Sequence, residues 1–465
     1  LRNRRKRKAM KAEKEKASNT QEKEDEKEVV GDNATTTQSI TSSFTSSIPA
    51  KTTKTEKKKK KEKSKKKIQR NPDPSQRYAS HPLSAPLIVS AKSFFKSHAL
   101  SPPFPIFMGS TTGWRTHSKL AVRGSKPLKI GLFAPGSHDV TVTESVAHHD
   151  VINFFTRGVT TICNELNIVG YDEATGEGDL KYVQISVETG SEKAQVTLVW
   201  NAESEGINKS KNILDSLTKR IINDKGGLSE KLHSLYVHFN KTSQHDNNIF
   251  GRGENSWVLV YGPKAIEETM DISSNENDVP LFFPPNVFRQ ANQRSFGGII
   301  DSVRKFMMEA GGFKHALELY GGVGTIGLNL CDLGEKLVCS DENPYNVACF
   351  EKSRGRLGKK LRKKVEYVGK SAEQCVKDSK VLSKDVDVVV VDPPRKGLDD
   401  SVKKALSNSE KYPALKTLVY ISCGFQAFVK DCGDLEKGGW KIEKAEGHVL
   451  FPGADAIETL AIFKR

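Results

Sequence analysis

The stretch Ala316-Leu317-Glu318-Leu319-Tyr320-Gly321-Gly322-Val323-Gly324-Thr325 decides how the carboxyl-terminal part of this chain is expected to fold. Its apolar first half predicts a buried strand, and residues 326–333 predict the helix that follows. The glycines between them let the backbone approach a ligand at the amino end of that helix. The pattern is typical of an open α/β sheet that binds a nucleotide-like group, although a tight turn without a ligand would look the same.

An acidic residue ends the next apolar run, where Val338-Cys339-Ser340 leads to Asp341. In such folds a carboxylate roughly 20 residues after the glycine loop accepts hydrogen bonds from ribose hydroxyls. We therefore expect Asp341 to lie beside the glycine loop and to contact a ligand that carries a ribose. The glycine spacing alone would also suit a dinucleotide.

A third run, Val388–Val391, ends in Asp392-Pro393-Pro394-Arg395-Lys396-Gly397. Two consecutive prolines fix their φ angles and remove two N–H donors, so this loop is stiff and cannot continue the strand. We expect it to hold Asp392 rigidly against a flat or polar group, because a plain strand end needs neither two prolines nor flanking charges. Arg395 and Lys396 are candidates for contact with phosphate.

The fourth run, residues 418–422, ends at Cys423, which precedes Gly424. Free cysteine is usually a small buried hydrophobe, and we interpret Cys331, Cys339 and Cys349 in that way. At the carboxyl end of a strand beside a ligand crevice, Cys423 is instead predicted to be a nucleophile. An ordinary thiol is mostly protonated at neutral pH, so it needs a base or a charge-stabilising neighbour.

Glu458 precedes a last apolar run, Leu460-Ala461-Ile462-Phe463, which we expect to return beside the Cys423 strand. A single glutamate in such a place is usually a surface residue, but one paired with Cys423 is a candidate general base. Ligands of open α/β sheets collect at the carboxyl ends of the strands. The glycine loop, Asp392 and Cys423 are therefore predicted to converge on one crevice.

The pattern divides the chain into a basic arm (1–75), a central α+β domain (76–280) and an α/β domain (281–465). Short alternating segments broken by Gly and Pro predict an antiparallel sheet in the central domain, with a helix where Ile213, Leu214, Leu217 and Ile221 recur. In the last domain, strands alternate with helical stretches, which predicts a mainly parallel sheet with helices on both faces.

Charge is concentrated at the amino-terminal end: of the net charge of +16, residues 1–70 carry +13. Such a segment has too little apolar surface to offset the entropy of ordering, so we expect a disordered arm. It is either a solvated tail with a nuclear-type address or an arm that binds phosphate without specificity, and the two are compatible. No apolar run reaches the length of a membrane helix, so we expect no membrane association.

Seven scattered cysteines without a C-x-x-C pair indicate free thiols in a reducing compartment and no metal site. We therefore expect an intracellular protein, with the nucleus, the nucleolus and an organelle all open. The first residue is Leu, so a targeting peptide also stays open.

Together these residues resemble the RNA 5-methyluridine (uracil-C5) methyltransferase family, whose members use S-adenosylmethionine. The likeness is strongest over residues 282–465. There it rests on five segments: a glutamine motif at 283–292, the first cofactor motif at 317–325, and catalytic signatures at 392–397, 422–423 and 451–458. Residues 113–153 are similar to the family's central domain. The resemblance implies a class I (Rossmann-like) methyltransferase domain after an α+β central domain that contacts RNA.

The resemblance also implies roles for individual residues. Cys423 would attack C6 of uracil, the methyl group would pass to C5, and Glu458 would remove the C5 proton before Cys423 leaves. The residues implied at the cofactor site are Gln290, Tyr320, Asp341 and Asp392, with Thr325 and Ser371 as weaker candidates. The implied partner is tRNA or rRNA, and we expect a monomer. Iron–sulfur-binding relatives carry an early cysteine cluster; this chain has no cysteine before Cys163, so we expect no such cluster.

Some positions depart from the family pattern. Gly424 stands where the family usually has Asn, and Asp341 stands where Glu is commoner. Tyr320-Gly321-Gly322 replaces the usual Tyr-Cys-Gly, and Asp455-Ala456-Ile457 replaces the His-rich residues that usually precede the glutamate.

Two alternative functions stay open. An RNA cytosine-C5 methyltransferase would need a Pro-Cys motif, which the Asp392 loop lacks. An RNA-binding protein with a degenerate site is the other, and the presence of Cys423 and Glu458 argues against it.

Overall fold

The computed structural model describes residues 73–98, 100, 103–241, 250 and 256–465. These residues belong to one compact unit, Ile68–Arg465. The disordered arm expected for residues 1–75 lies almost wholly outside the described residues. Within them, no helix combines the length and apolarity that a membrane crossing requires.

An eight-stranded sheet forms the carboxyl-terminal layer, in the order β1-β16-β17-β15-β14-β11-β12-β13. Neighbouring strands are parallel except β17, which is antiparallel to both β15 and β16. The predicted, mainly parallel sheet is thus confirmed. Its strands are β1 (Ile106–Met108), β11 (Phe313–Leu319), β12 (Gly334–Ser340), β13 (Val365–Val368), β14 (Val388–Val391), β15 (Thr417–Ser422), β16 (Lys441–Val449) and β17 (Glu458–Lys464).

Helices cover both faces of this sheet, as predicted. Alternation along each strand sends successive side chains to opposite faces, so Val419 and Ile421 of β15 enter one apolar core and Leu418 and Tyr420 the other. The helices that pack in the first core are Gln293–Glu309, Thr325–Leu328 and Pro344–Arg356. The helices that pack in the second core are Pro86–Ser97, Ala372–Lys377, Asp400–Leu406 and Phe425–Lys437. A short helix, Lys359–Arg362, precedes β13.

A seven-stranded sheet forms the central layer, in the order β4-β3-β2-β5-β6-β7-β8. It is antiparallel as predicted, except that β6 and β7 are parallel because the chain crosses over between them through a helix. Its strands are β2 (His117–Arg123), β3 (Lys129–Phe133), β4 (Val140–Val142), β5 (Leu180–Glu188), β6 (Lys193–Trp200), β7 (Leu232–Phe239) and β8 (Trp257–Tyr261). Its helices are Asp150–Glu165, Lys211–Ile222 and Leu228–Lys231.

Two strands, β9 (Ile266–Thr269) and β10 (Pro280–Phe283), form a separate antiparallel pair on the way to the carboxyl-terminal layer. The amino-terminal segment also reaches that layer, since β1 pairs with β16. The amide of Leu87 donates to Asp455 over 2.8 Å, and the amide of Tyr78 donates to the carbonyl of Gly453 over 2.7 Å. Asp455, which departs from the family pattern, therefore anchors the helix Pro86–Ser97.

The helix after the glycine loop is shorter than the sequence predicts. It ends at Leu328, and a 3₁₀ turn, Cys331–Leu333, follows. The side-chain amide of Asn329 donates to the Thr325 carbonyl over 2.8 Å, and the buried guanidinium of Arg304 donates to the Asn329 carbonyl. These donors satisfy carbonyls that a longer helix would have used.

Candidate active site

Cys423 and Glu458 face each other at one edge of the eight-stranded sheet. Cys423 directly follows β15, Glu458 opens β17, and the register between these strands pairs Ser422 with Thr459. The next opposed pair is therefore Cys423 with Glu458, and such pairs have their Cβ atoms about 4.5–5.5 Å apart. The structure thus brings the predicted nucleophile and the predicted base together.

Asp392 joins them from the neighbouring strand β14. Val391 is in register with Tyr420 of β15, so Asp392 lies at the same sheet edge as Cys423. Gly424 explains how closely the two strands' loops approach: a Cβ atom there would overlap the carbonyl oxygen of Arg395. Where the family usually has Asn, this chain has room only for Gly, because the backbone of the loop 392–399, here called the proline loop, occupies the space.

Hydrogen bonds fix the proline loop on two sides. Buried Asp431 accepts hydrogen bonds of 2.7 Å from the amide of Leu398 and from the hydroxyl of Tyr420. On the other side, Asp399 accepts from Lys396 over 2.6 Å and from the hydroxyl of Tyr320 over 3.1 Å. The loop that carries Asp392 is therefore fixed to both the Cys423 strand and the glycine loop.

Burial raises the pKa of all three acidic groups at this edge. The pKa of the half-buried Cys423 thiol rises to about 11, first through burial and then through the charges of Glu458 and Asp392, while Arg395 lowers it. Burial, and then Asp392, raises the pKa of Glu458 to about 8, against the effect of Arg395. Burial raises the pKa of Asp392 to about 7. Arg395 is thus the charge that favours a thiolate, and such perturbed groups are typical of catalytic clefts.

The glycine loop and Asp341 meet as predicted from the sequence. The amide of Gly322 donates to Asp341 Oδ2 over 3.1 Å, and the amide of Asn343 donates to Oδ1 over 2.8 Å. Tyr320 adopts φ 60°, an uncommon conformation for a residue other than Gly. This backbone turns the chain sharply from β11 into the loop.

A small cavity of about 40 Å³ lies between the glycine loop and the glutamine motif. It brings together Gln290, Tyr320, Thr325 and Asp392, and exposed Phe288 lies at the same cavity. Four of the six predicted cofactor residues therefore share one slot, with Asp341 next to it through Gly322. Ser371 instead caps the helix Ala372–Lys377, because its hydroxyl accepts a hydrogen bond from the Gln374 amide.

The central sheet fixes the position of Gln290. Its neighbour Arg289 is buried, donates to the Val187 carbonyl over 2.8 Å and pairs with buried Glu268. The amide of Thr116 donates to the Ala291 carbonyl over 2.8 Å. The glutamine motif is therefore held by the layer that precedes it, which the sequence did not reveal because these partners lie far away along the chain.

Glu318, which the sequence pattern does not single out, lies buried under the glycine loop. Its Oε2 accepts from the Gly327 amide over 3.2 Å, whereas its Oε1 has no hydrogen-bond partner among the described residues. Burial raises the pKa of this carboxyl to about 7. An unpartnered buried carboxyl oxygen beneath the glycine loop fits a ligand that brings an amine or another donor, as S-adenosylmethionine does.

Comparison with known proteins gives relatives along most of the chain. No protein-family model matches. The chain is 33% identical over 369 residues to an uncharacterized RNA methyltransferase of Protochlamydia amoebophila, which covers 77% of this chain and 88% of that protein. It is 23% identical over 353 residues to the 23S rRNA (uracil(747)-C(5))-methyltransferase RlmC of Xenorhabdus bovienii, covering 76% of this chain and 85% of that protein.

Among solved structures, the chain is similar to the Pyrococcus abyssi tRNA (uracil-54, C5)-methyltransferase in complex with S-adenosyl-L-homocysteine. The TM-score is 0.59 at 20% identity, and the match covers 81% of this chain and 82% of that one. At this identity the likeness concerns the fold, and it extends over both sheet layers.

Proposed function

This chain belongs to the family of S-adenosylmethionine-dependent RNA methyltransferases, and we propose that it methylates C5 of a uridine in tRNA or rRNA through a covalent adduct between Cys423 and C6. One observation carries the proposal. A cysteine and a buried carboxyl, Glu458, oppose each other across two strands, beside the slot that contains Gln290 and Asp392. The names of two relatives of this chain support uracil C5 as the target atom.

The chemistry explains why both groups are needed. C5 of uracil is a weak nucleophile, and addition of the Cys423 thiolate to C6 pushes the C5–C6 π electrons toward the C4 carbonyl. The enolate formed in this way makes C5 nucleophilic. S-adenosylmethionine, when bound, supplies an electrophilic methyl group and leaves as S-adenosylhomocysteine. The carboxylate form of Glu458 then accepts the C5 proton, the C5–C6 double bond forms again, and the C6–S bond breaks to restore the thiolate.

Gln290, Tyr320, Asp341 and Asp392 would hold the methyl donor. Gln290 and Asp392 line the slot together with residues of the glycine loop, and Oε1 of buried Glu318 has no hydrogen-bond partner among the described residues. Asp392 also lies next to Cys423, so it can contact both the donor and the target base. Thr325 lines the same slot and is a weaker candidate.

The target uridine must leave its stack to reach Cys423. A base inside a duplex cannot bring C6 to a sulfur at a sheet edge, and extrusion costs least for an unpaired loop nucleotide. The relatives act on one uridine in 23S rRNA and on one in tRNA. We therefore propose an exposed loop uridine, and both RNA classes belong in the test.

The test is nucleoside analysis after incubation of unmodified tRNA and rRNA transcripts with S-adenosylmethionine. Wild-type protein is expected to produce 5-methyluridine, and Cys423→Ala none. Glu458→Gln should lower turnover by about 10²–10⁴-fold, the usual contribution of a general base. Cys163→Ala is the matched control, since Cys163 is buried in the other layer and should be dispensable. Formation of 5-methylcytidine, or full activity of Cys423→Ala, would contradict the proposal.

A further inference from the structure

A second and much larger cleft opens beside the proposed active site. Its volume is about 950 Å³, within the range of pockets that hold small-molecule-sized groups. Gln293 lines both this cleft and the cofactor slot. His448, another lining residue, is in register with Glu458 across β16 and β17. The cleft therefore begins one strand away from the proposed base.

An exposed aromatic side chain lines this cleft. Phe107 of β1 is 49% exposed, and its ring stacks on the buried ring of His448 with centroids 5.1 Å apart and an interplanar angle of 29°. Phe107 and His448 are opposed in the parallel pair β1–β16, so both side chains lie on the sheet face that carries Glu458. One face of the Phe107 ring is supported, while half of its surface stays open to solvent.

Among the described residues that line the cleft, one cation, Arg294, and one exposed carboxylate, Asp271, have no ion-pair partner. Asp301 is paired with Lys305 over 2.9 Å, and Glu446 is paired with Lys444 over 3.1 Å. Arg294, by contrast, is exposed and has no hydrogen bond or ion pair with any described residue. It lies in the first turn of the 17-residue helix Gln293–Glu309, whose amino end also favours an anion.

A buried polar atom in the cleft wall also lacks a partner. Trp114 lines the cleft and is only 6% exposed, and its indole Nε1–H donates to no described residue. The guanidinium of Arg115 lies 4.8 Å from the Trp114 ring centroid. Indole N–H groups usually find an acceptor when they are buried, so the acceptor of this one is expected to lie outside the described residues.

From these observations we propose that the cleft binds a nucleotide adjacent to the target uridine in the same RNA, with its base on Phe107 and its phosphate at Arg294. This inference rests on the proposed function. Extrusion of the target uridine unstacks its neighbours, and an aromatic shelf beside the base-accepting edge replaces that lost stacking. The cleft thereby selects RNA whose next nucleotide can also leave its stack.

The experiment uses the shortest transcript that wild-type protein methylates, with RNA affinity and single-turnover methylation as readouts. Phe107→Ala is expected to weaken binding about 5- to 150-fold, the effect of losing one stacked base, and Phe107→Trp to restore it. Val89→Ala, which changes an equally exposed apolar residue on the helix Pro86–Ser97 of the opposite sheet face, is the matched control. Binding of S-adenosylhomocysteine should be unchanged in all three variants and reports an intact fold.

Abasic substitutions in the RNA identify the nucleotide. At one position next to the target, removal of the base should make wild-type protein and Phe107→Ala bind equally, because the contact is already lost. Arg294→Gln should lower the slope of log affinity against log salt by about 0.7, the loss of one phosphate contact with a single strand. Lys404→Gln, an exposed cation on the opposite sheet face, should not change this slope.

Two failures are distinguishable. If wild-type protein methylates no uridine in any transcript, the proposed function fails and this inference fails with it. If wild-type protein methylates RNA but Phe107→Ala binds and methylates equally well, the inference alone is overturned. The inference alone is also overturned if no abasic position removes the difference in RNA affinity between Phe107→Ala and wild type.

Discussion

At the residue scale, the environment of Cys423 controls when its sulfur can react. It is the one cysteine of the seven that is partly exposed, and the other six are buried. Burial, Glu458 and Asp392 hold its pKa near 11, whereas Arg395 acts in the opposite direction. A thiol in this state is almost fully protonated at neutral pH even with Arg395 present, so formation of the thiolate requires further stabilisation when substrate binds.

Alkylation with iodoacetamide measures this directly. Labelling of Cys423 in the folded protein should be slow at pH 7.5 and rise about tenfold per pH unit toward pH 11, since only the thiolate reacts. Arg395→Gln should move the midpoint to higher pH, and Arg395→Lys should restore it. Mass spectrometry of tryptic peptides reports the site, with Cys423→Ala as the unlabelled control. A plateau near pH 8, or an unchanged midpoint in Arg395→Gln, would contradict this account.

The sequence predicts some of these residues better than others. Cys423, Glu458 and Asp392 each follow or open an apolar run, so their meeting at one sheet edge could be expected from strand order alone. The roles of Glu318 and Asp431 could not be expected from strand order. Each acts through a partner that only the folded chain brings close, as when Asp431 accepts from the amide of Leu398 in the proline loop.

At the element scale, the proline loop and the Cys423 strand form one rigid unit. Gly424 allows the Arg395 carbonyl to lie against the backbone that follows the nucleophile. The sequence marks Gly424 only as a departure from the family pattern, because a missing side chain does not show what fills its place. The same limit applies to β6 and β7, whose parallel pairing depends on a crossover and not on the residues in the strands.

Gly424→Ala tests this contact. The added methyl group overlaps backbone atoms of the proline loop, so we expect a destabilisation of about 1–3 kcal/mol and a loss of methylation that exceeds the loss of cofactor binding. Gly433→Ala is the control in the following helix, where a Cβ atom meets nothing within 4 Å. It should stabilise the protein by about 0.5–1 kcal/mol. Equal denaturation midpoints and activities for the two variants would refute the proposed contact.

At the scale of the whole molecule, two sheet layers position one site. The central layer holds the glutamine motif through Arg289, and the amino-terminal segment holds the turn before Glu458 through Asp455. Periodicity predicts both layers and most strands. It could not predict that β1 joins the carboxyl-terminal sheet, because three residues carry little pattern and their partners lie more than 300 positions away.

Several buried carboxyls at this site make the stability of the fold depend on pH. Burial raises the pKa of Glu458 to about 8, and those of Asp392 and Glu318 to about 7. The folded state therefore keeps protons that the unfolded state releases above pH 4–5, so these groups lower the unfolding free energy as pH rises toward 8.

Glu458→Gln should remove part of this dependence. We expect the variant to be more stable than wild type at pH 8.5 by roughly 2–4 kcal/mol, and the difference to vanish near pH 4.5. Urea denaturation between these pH values measures it, with exposed Glu443→Gln as the control. A variant that is less stable than wild type at pH 8.5 would show that the Glu458 charge is stabilised in the fold, contrary to this account.

The most direct measurement of the central claim is the capture of the Cys423 adduct on RNA containing 5-fluorouridine. Fluorine at C5 cannot leave as a proton, so elimination is blocked after methylation and the C6–S bond persists. In the presence of S-adenosylmethionine, wild-type protein should give a complex that survives denaturation, with the RNA fragment attached to the Cys423 peptide, and Cys423→Ala should give none. An adduct on another residue, an adduct in Cys423→Ala, or no adduct on RNA that the wild type methylates would contradict the account.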